Sequence, residues 1–228
     1  MREKIKDFWK QLSLEIIMVS FLFMTALVLF AYIADEIVLE NNTGFDTEVL
    51  NYVRAHQTHL LISVMKVVTF FGSSQFLLPA YILLIIFYLI KKNKAYAIDI
   101  AIIGISSTAV MFLLKSIFKR NRPPMPIVQT INGYSFPSGH SLSAFIFCSI
   151  LGYLIFQSSI KKFYKYSIAF VLVLCSVAIG LSRIVLNVHY ASDVIAGYSL
   201  GLVLVLLAFS IIRKIRKVQP AKVLNEEI

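Results

Sequence analysis

The sequence predicts an all-α membrane protein, a bundle of six transmembrane helices with both termini on the cytoplasmic side. Three observations predict it. First, 58% of the 228 residues are hydrophobic and 15% are charged, with a mean hydropathy of +0.79, against roughly 45–50% and about 25% in soluble domains. Second, the apolar residues form continuous runs of membrane-crossing length between Ile16 and Ile212, and they do not alternate as the strands of a barrel would. Third, the basic residues collect in alternate connections between the runs. This composition excludes a disordered chain and leaves no room for a large soluble domain. The formal charge of +10 comes without a basic stripe interleaved with exposed aromatics. It therefore points to anionic lipid as the partner, and no nucleic acid is implied.

A span needs about 20 mainly apolar residues. The first run, Leu14–Ile33, follows the basic segment Met1–Lys10. It is too long for a signal-peptide core, and Ala31-Tyr32-Ile33-Ala34 is a poor cleavage sequence, so it reads as an uncleaved first span. An acidic connection with Asp35, Glu36, Glu40, Asp46 and Glu48 comes next. Within it, Phe45, Val49, Leu50 and Val53 have helical spacing, which fits a short amphipathic interfacial helix as well as it fits an ordinary polar connection with apolar contacts. The second span is Gln75–Ile90. Apolar character begins near Leu60, but Gly72-Ser73-Ser74 interrupts it and Pro79 is placed to kink the helix near its start, so residues 60–71 belong either to this span or to the interface. Tyr96–Phe118, Ser141–Phe156, Tyr166–Leu186 and Tyr190–Ile212 complete the six. Cys148 and Cys175 lie inside apolar runs and read as small lipid- or core-facing residues. Gly197 and Gly201 make a small-xxx-small pattern suited to packing within the bundle. The whole chain, 1–228, reads as a single integral membrane domain.

Fifteen of the 22 lysines and arginines fall at Met1–Lys10, Lys91–Lys94, Lys161–Lys165 and Arg213–Lys222, which sets the N-in, C-in orientation. Seven remain on the other side: Arg54, Lys66, Lys115, Lys119, Arg120, Arg122 and Arg183. Odd spans end outside and even spans begin there, so Lys115, Arg122, His140, Arg183, His189 and Asp193 emerge at one face. Snorkelling to head groups accounts for any one of these cations. It does not account for the set, because it leaves His189 and Asp193 unexplained at a depth where ionisable groups are costly.

The chemistry suited to this set is phosphoryl transfer. Arginine forks match phosphate oxygens, and lysine adds a point charge. Pro137-Ser138-Gly139-His140 opens the fourth span, where a serine hydroxyl, close backbone approach at glycine and unpaired helix-start amides suit an anion. His189 and Asp193 are four apart and share a helix face, so the carboxylate can hold one imidazole nitrogen and leave the other as a nucleophile. A metal site is the rival reading of two histidines and an aspartate. It is disfavoured because Asp193 is the only acid in the set, while the cations would repel a divalent ion and themselves stabilise the transition state. No cofactor is expected. A non-catalytic lipid transporter could use the same cations, but binding alone needs no oriented His189–Asp193 pair.

Lys115 with six residues to Arg122-Pro123, then Pro137-Ser138-Gly139-His140, then Ser182-Arg183 with five residues to His189 and three more to Asp193, resembles the three-part signature of the type 2 phosphatidic acid phosphatases, the lipid phosphate phosphatases. The signature covers residues 115–193 with no departure at its positions. The resemblance implies that His189 attacks phosphorus, Asp193 orients it, and His140 protonates the leaving alkoxide and then activates water. It implies that Lys115, Arg122, Ser138, Gly139 and Arg183 bind the phosphoryl oxygens. The compact six-span form is similar to the bacterial phosphatidylglycerophosphatases, which implies phosphatidylglycerophosphate as substrate. Undecaprenyl diphosphate is the alternative. The expected partners are therefore a phospholipid or polyprenyl phosphate and the bilayer, with no obligate protein partner, in a bacterial plasma membrane with the site facing outward.

Overall fold

The computed structural model describes residues 2–128 and 133–223. Met1 of the basic N-terminal segment lies outside these residues, as do the side chains of Arg2, Lys4, Lys6, Lys10, Lys217 and Lys222. The described residues are helical, with no strand: α1 (Arg2–Tyr32), a π-helical continuation (Ile33–Leu39), α2 (Gly44–Ala55), α3 (His59–Phe70), α4 (Ser74–Ile90), α5 (Lys94–Phe118), α6 (Gly139–Gln157), α7 (Lys162–Val185) and α8 (Ala191–Val223). Six stretches are long and apolar enough to cross a membrane: Ile16–Leu39, His59–Ile90, Lys94–Phe118, Gly139–Gln157, Lys162–Val185 and Ala191–Arg216. The helix starts lie where small polar residues interrupt the apolar runs. Thr58, Ser73, Asn93 and Ser138 each accept a hydrogen bond from a backbone amide three residues on, satisfying a donor that the first turn otherwise leaves open.

Two span boundaries move from the sequence expectation, each for a packing reason. The first span runs on to Leu39, because Ile33, Ala34, Ile37 and Val38 are buried against Phe136 and Ala196, while Asp35 rides on the exposed side of the π-helical turn. The second begins at His59. Residues 60–71 form α3 and the bend after it, and Ser73 restarts the chain as α4, so α3 and α4 together make one apolar stretch bent at Phe71–Ser73. The bend lets the two halves choose different neighbours, α3 lying against α7 and α4 against α5. Gly72 permits it: a Cβ there would clash with Ile179 Cγ2 and stand 3.3 Å from His140 Cδ2.

The connection 44–55 is a helix, as the spacing of its apolar residues allowed, but it is docked onto protein. Leu50 is buried, and Val49 and Val53 pack on Ile184, Ala191 and Val194 of α7 and α8. Inside the bundle α6 lies between α5, α7 and α8, and the central core joins Ile100, Ile103 and Met111 to Leu142, Ile146, Ile150 and Leu154 and to Leu200 and Val205. Large side chains such as Phe21, Leu83, Ile105, Phe112 and Phe170 face outward, where lipid tails are as apolar as they are.

Close approach of helices in lipid relies on small residues. Gly197 and Gly201 both face α6, and a Cβ on Gly197 would meet the Ser138 carbonyl oxygen at 2.9 Å. Backbone cannot yield as a side chain tip can, so Gly197→Val should cost about 1–3 kcal/mol, read as a lower thermal midpoint of the detergent-solubilised protein. Gly152→Ala, where an added Cβ meets nothing, should leave the midpoint unchanged or raise it.

Candidate active site

The end of α5, residues 119–128 and 133–138 of the chain that follows it, the start of α6, the end of α7 and the turn into α8 meet at one end of the bundle. α5 stops at Lys119, which adopts the left-handed conformation (φ 48°) and turns the chain so that Arg120 and Arg122 point back over the helix ends. Lys115, in the last turn, donates from Nζ to the Tyr134 and Ser135 carbonyls at 2.7 and 3.2 Å. Arg122 donates to the Gly133 carbonyl through Nε (3.0 Å) and to the Val188 carbonyl through Nη1 (3.0 Å). Its Nη1 also lies 3.2 Å from His189 Nε2. Arg183 is buried at the end of α7, reaching Thr69 Oγ1 through Nη1 at 2.5 Å, while its Nε is buried with no hydrogen-bond partner.

Ser138 is fully buried and caps α6, and its backbone N–H donates to the Asp193 carbonyl at 3.0 Å. That bond ties the start of α6 to the start of α8. A Cβ on Gly139 would meet Met111 Sδ at 2.8 Å, so glycine lets the first turn of α6 sit directly beside α5. His140 follows on the same turn, half-buried beneath the Gly72 bend. Lys115, Arg122, Arg183 and His189 all lie within electrostatic reach of His140. All eight residues expected from the sequence therefore converge.

His189 is 2% exposed. Asp193 Oδ2 lies 3.4 Å from its Nδ1 and also accepts the Tyr190 amide at 2.9 Å. A carboxylate only accepts and a guanidinium only donates, so Nδ1 carries the proton and Nε2 presents its lone pair toward Arg122. Among the described residues, none of Lys115, Arg122 and Arg183 has a carboxylate within salt-bridge distance. No group of three or more His, Cys, Asp or Glu side chains comes together as a metal site among them either.

A family model described as the PAP2 superfamily matches residues 95–217, more than half of the chain and every one of the converging segments. The chain belongs to the PAP2 superfamily. It is 33% identical over 165 residues to phosphatidylglycerophosphatase B of Bacillus subtilis, covering 69% of this chain and 78% of that one. It is 28% identical over 169 residues to an undecaprenyl-diphosphatase of Sulfolobus acidocaldarius, covering 71% and 76%. The crystal structure of a transmembrane PAP2-type phosphatidylglycerolphosphate phosphatase from Bacillus subtilis superposes with a TM-score of 0.76 at 26% identity, covering 85% of this chain and 96% of that one. This PAP2 protein is accordingly a multi-pass membrane phosphoric ester hydrolase of the lipid phosphatase kind.

The PAP2 site also contains four residues that the sequence reading left out. Arg120 donates through Nη1 to Asp193 Oδ1 (2.7 Å) and Ser192 Oγ (2.8 Å), and through Nη2 to Asp46 Oδ2 (2.6 Å), with its guanidinium 4.3 Å from the Tyr190 ring centroid. Ser135 donates a short hydrogen bond to Asp193 Oδ2 and lies 3.4 Å from His189 Nδ1. Asp46 and Ser192 are buried beside them. Arg120 resembled its snorkelling neighbours in sequence, and Ser135 carried no signal. Asp46 did carry one, since it shares a helix face with Leu50 and Val53.

Burial pushes the His189 imidazole down from its ordinary 6.5 to about 4, with Asp193 opposing and Arg122 and Lys115 adding to the fall. Histidine ¹⁵N shifts of the full chain in detergent should therefore show a neutral His189, protonated on Nδ1, from pH 8 to about 5. Between about 6.5 and 4 the unfolded chain binds a proton at this residue that the folded chain does not, so His189 makes stability decline as pH falls through that window. An imidazolium signal for His189 at pH 6 would contradict this assignment.

Proposed function

We propose that this protein removes a terminal phosphate from a membrane lipid by a metal-independent, two-step transfer through His189. The observation that carries the proposal is charge without a counter-charge. Three cations meet beside a neutral imidazole, none of them ion-paired and one with a buried donor that has no partner among the described residues. Cations held in that way at membrane depth are expensive unless a ligand supplies the opposite charge. A phosphomonoester dianion offers two charges and three equatorial oxygens for Lys115, Arg122, Arg183 and the Ser138–Gly139 helix start.

In the first step the His189 Nε2 lone pair forms an N–P bond as the P–O bond to the lipid breaks. His140, protonated once the bound phosphate dianion offsets the cations around it, gives its proton to the departing alkoxide. Asp193 holds the Nδ1 proton and stabilises the positive ring that results. In the second step neutral His140 takes a proton from water as the water oxygen attacks phosphorus. The N–P bond breaks, inorganic phosphate leaves and His140 is again protonated. The cations stabilise the charge on the equatorial oxygens in both steps, the task that a metal performs in other phosphatases.

Phosphatidylglycerophosphate is the substrate this reading favours, supported by the likeness to the Bacillus subtilis phosphatidylglycerophosphatase B. The likeness to an undecaprenyl-diphosphatase keeps undecaprenyl diphosphate as the second candidate. The single domain lies N-in and C-in with the site on the outer face of a bacterial plasma membrane. The basic connections at the opposite ends of the spans support that orientation.

His189→Ala should lower phosphate release from a short-chain lipid phosphate in detergent by about 10³-fold or more, with the thermal midpoint retained. Wild-type turnover in that variant removes His189 as nucleophile. EDTA should leave the rate unchanged, and restoration by magnesium or zinc after loss would overturn the metal-free mechanism. A panel of phosphatidylglycerophosphate, phosphatidate and undecaprenyl diphosphate in matched micelles should give the highest kcat/KM for the first.

A further inference from the structure

Helix α2 holds, among the described residues, the most deeply buried acid outside α8. Asp46, in the first turn of α2, is 1% exposed, and both of its oxygens are engaged by the functional end of the molecule. Oδ1 accepts the Ser192 amide at 2.9 Å, and Oδ2 accepts the Ser192 hydroxyl at 2.5 Å and Arg120 Nη2 at 2.6 Å. The other arm of the same guanidinium donates to Asp193 Oδ1 at 2.7 Å. Asp193 then presents Oδ2 to His189 Nδ1. An unbroken chain of four groups thus runs from a peripheral helix to the reacting imidazole: Asp46, Arg120, Asp193, His189.

We propose that Asp46 is a positioning residue of the reaction, acting through Arg120 to fix the Asp193 carboxylate and so to aim His189 Nε2. The proposal rests on the reading of His189 as nucleophile. The geometry supports it in three ways. A planar guanidinium held at both ends cannot rotate, so the Asp193 oxygen that it grips is fixed in position as well as in charge. With Oδ1 held by Arg120, only Oδ2 is left for the imidazole, Ser135 and the Tyr190 amide, which selects one carboxylate rotamer and one imidazole tautomer. Asp46 also supplies the acceptor for the Ser192 amide in the first turn of α8, so the helix that carries Asp193 is itself seated by α2.

The test uses the full chain in detergent with a short-chain lipid phosphate, and His189→Ala in the same assay. Asp46→Asn keeps an acceptor for the Ser192 amide but loses the charged grip on Arg120. It should lower kcat roughly ten- to hundred-fold while KM stays within about two-fold, because aim is lost and phosphate contacts are kept. Arg120→Lys keeps the charge and loses the fork, and it should do the same. The double variant should be no slower than about the worse single one, since both changes break one chain. Leu50→Ala, which loosens the α2 packing without touching that chain, should leave kcat within about two-fold.

A wild-type kcat in Asp46→Asn, a rise in KM alone, additive losses in the double variant, or an equal loss in Leu50→Ala each overturns the positioning role. Should Asp46→Asn fail to fold, Arg120→Lys carries the test alone, and a wild-type kcat there is equally decisive. Turnover in His189→Ala sinks the nucleophile reading itself. A dead His189→Ala beside a fully active Asp46→Asn sinks only the positioning role.

Discussion

One guanidinium between two buried carboxylates organises the functional end of this protein. Arg120 has a side chain 9% exposed, and those of Asp46 and Asp193 are fully buried. Removing any one member would strand charge where no water can reach it, and breaking buried pairs in this way costs several kcal/mol. The consequence is geometric as much as energetic. α2, the chain after α5 and the start of α8 are pinned at a single point, and the nucleophile candidate lies in the turn just before α8, four residues ahead of Asp193.

The division of charge around that point is asymmetric. The acids of the site are consumed by Arg120, Ser135, Ser192 and His189, whereas Lys115, Arg122 and Arg183 receive carbonyls, a hydroxyl and an imidazole lone pair as partners. Neutral acceptors position a cation without cancelling it. The site therefore keeps a net positive field beside an uncharged imidazole, and burial, by lowering the proton affinity of His189, maintains that neutrality at physiological pH. Structure and electrostatics favour the same ligand, a compact dianion.

The bilayer explains why these groups gather at a helix end. Within the hydrocarbon each backbone group must be satisfied by its own helix, so irregular backbone such as residues 119–128 and 133–138 belongs at the rim, where the Gly133, Tyr134 and Ser135 carbonyls hold Arg122 and Lys115. The interior below is built from small residues and interlocking apolar ones. Gly197 brings α8 against the Ser138 carbonyl, and the Ser138–Asp193 backbone bond closes the gap above it.

The sequence by itself determined the class, the six spans and eight candidate residues that the fold brings together. Hydrophobic run length is a one-dimensional property, and strict alternation of span direction delivers Lys115, His140, Arg183 and His189 to one face whatever the packing. It also marked 44–55 as an amphipathic candidate. Only the tertiary structure decided what that amphipathicity faced. Asp46 stood among five acids of a connection, and although it shares the face of Leu50 and Val53, that face acquired a partner only when α2 docked on α7 and α8 and buried Asp46 while leaving Glu48 exposed. Arg120 likewise differs from Lys119 only through the left-handed turn that aims it inward. The bend at Gly72 and the run of the first span to Leu39 were equally beyond local pattern, because both depend on which neighbour a helix meets, and that is a property of the assembled bundle.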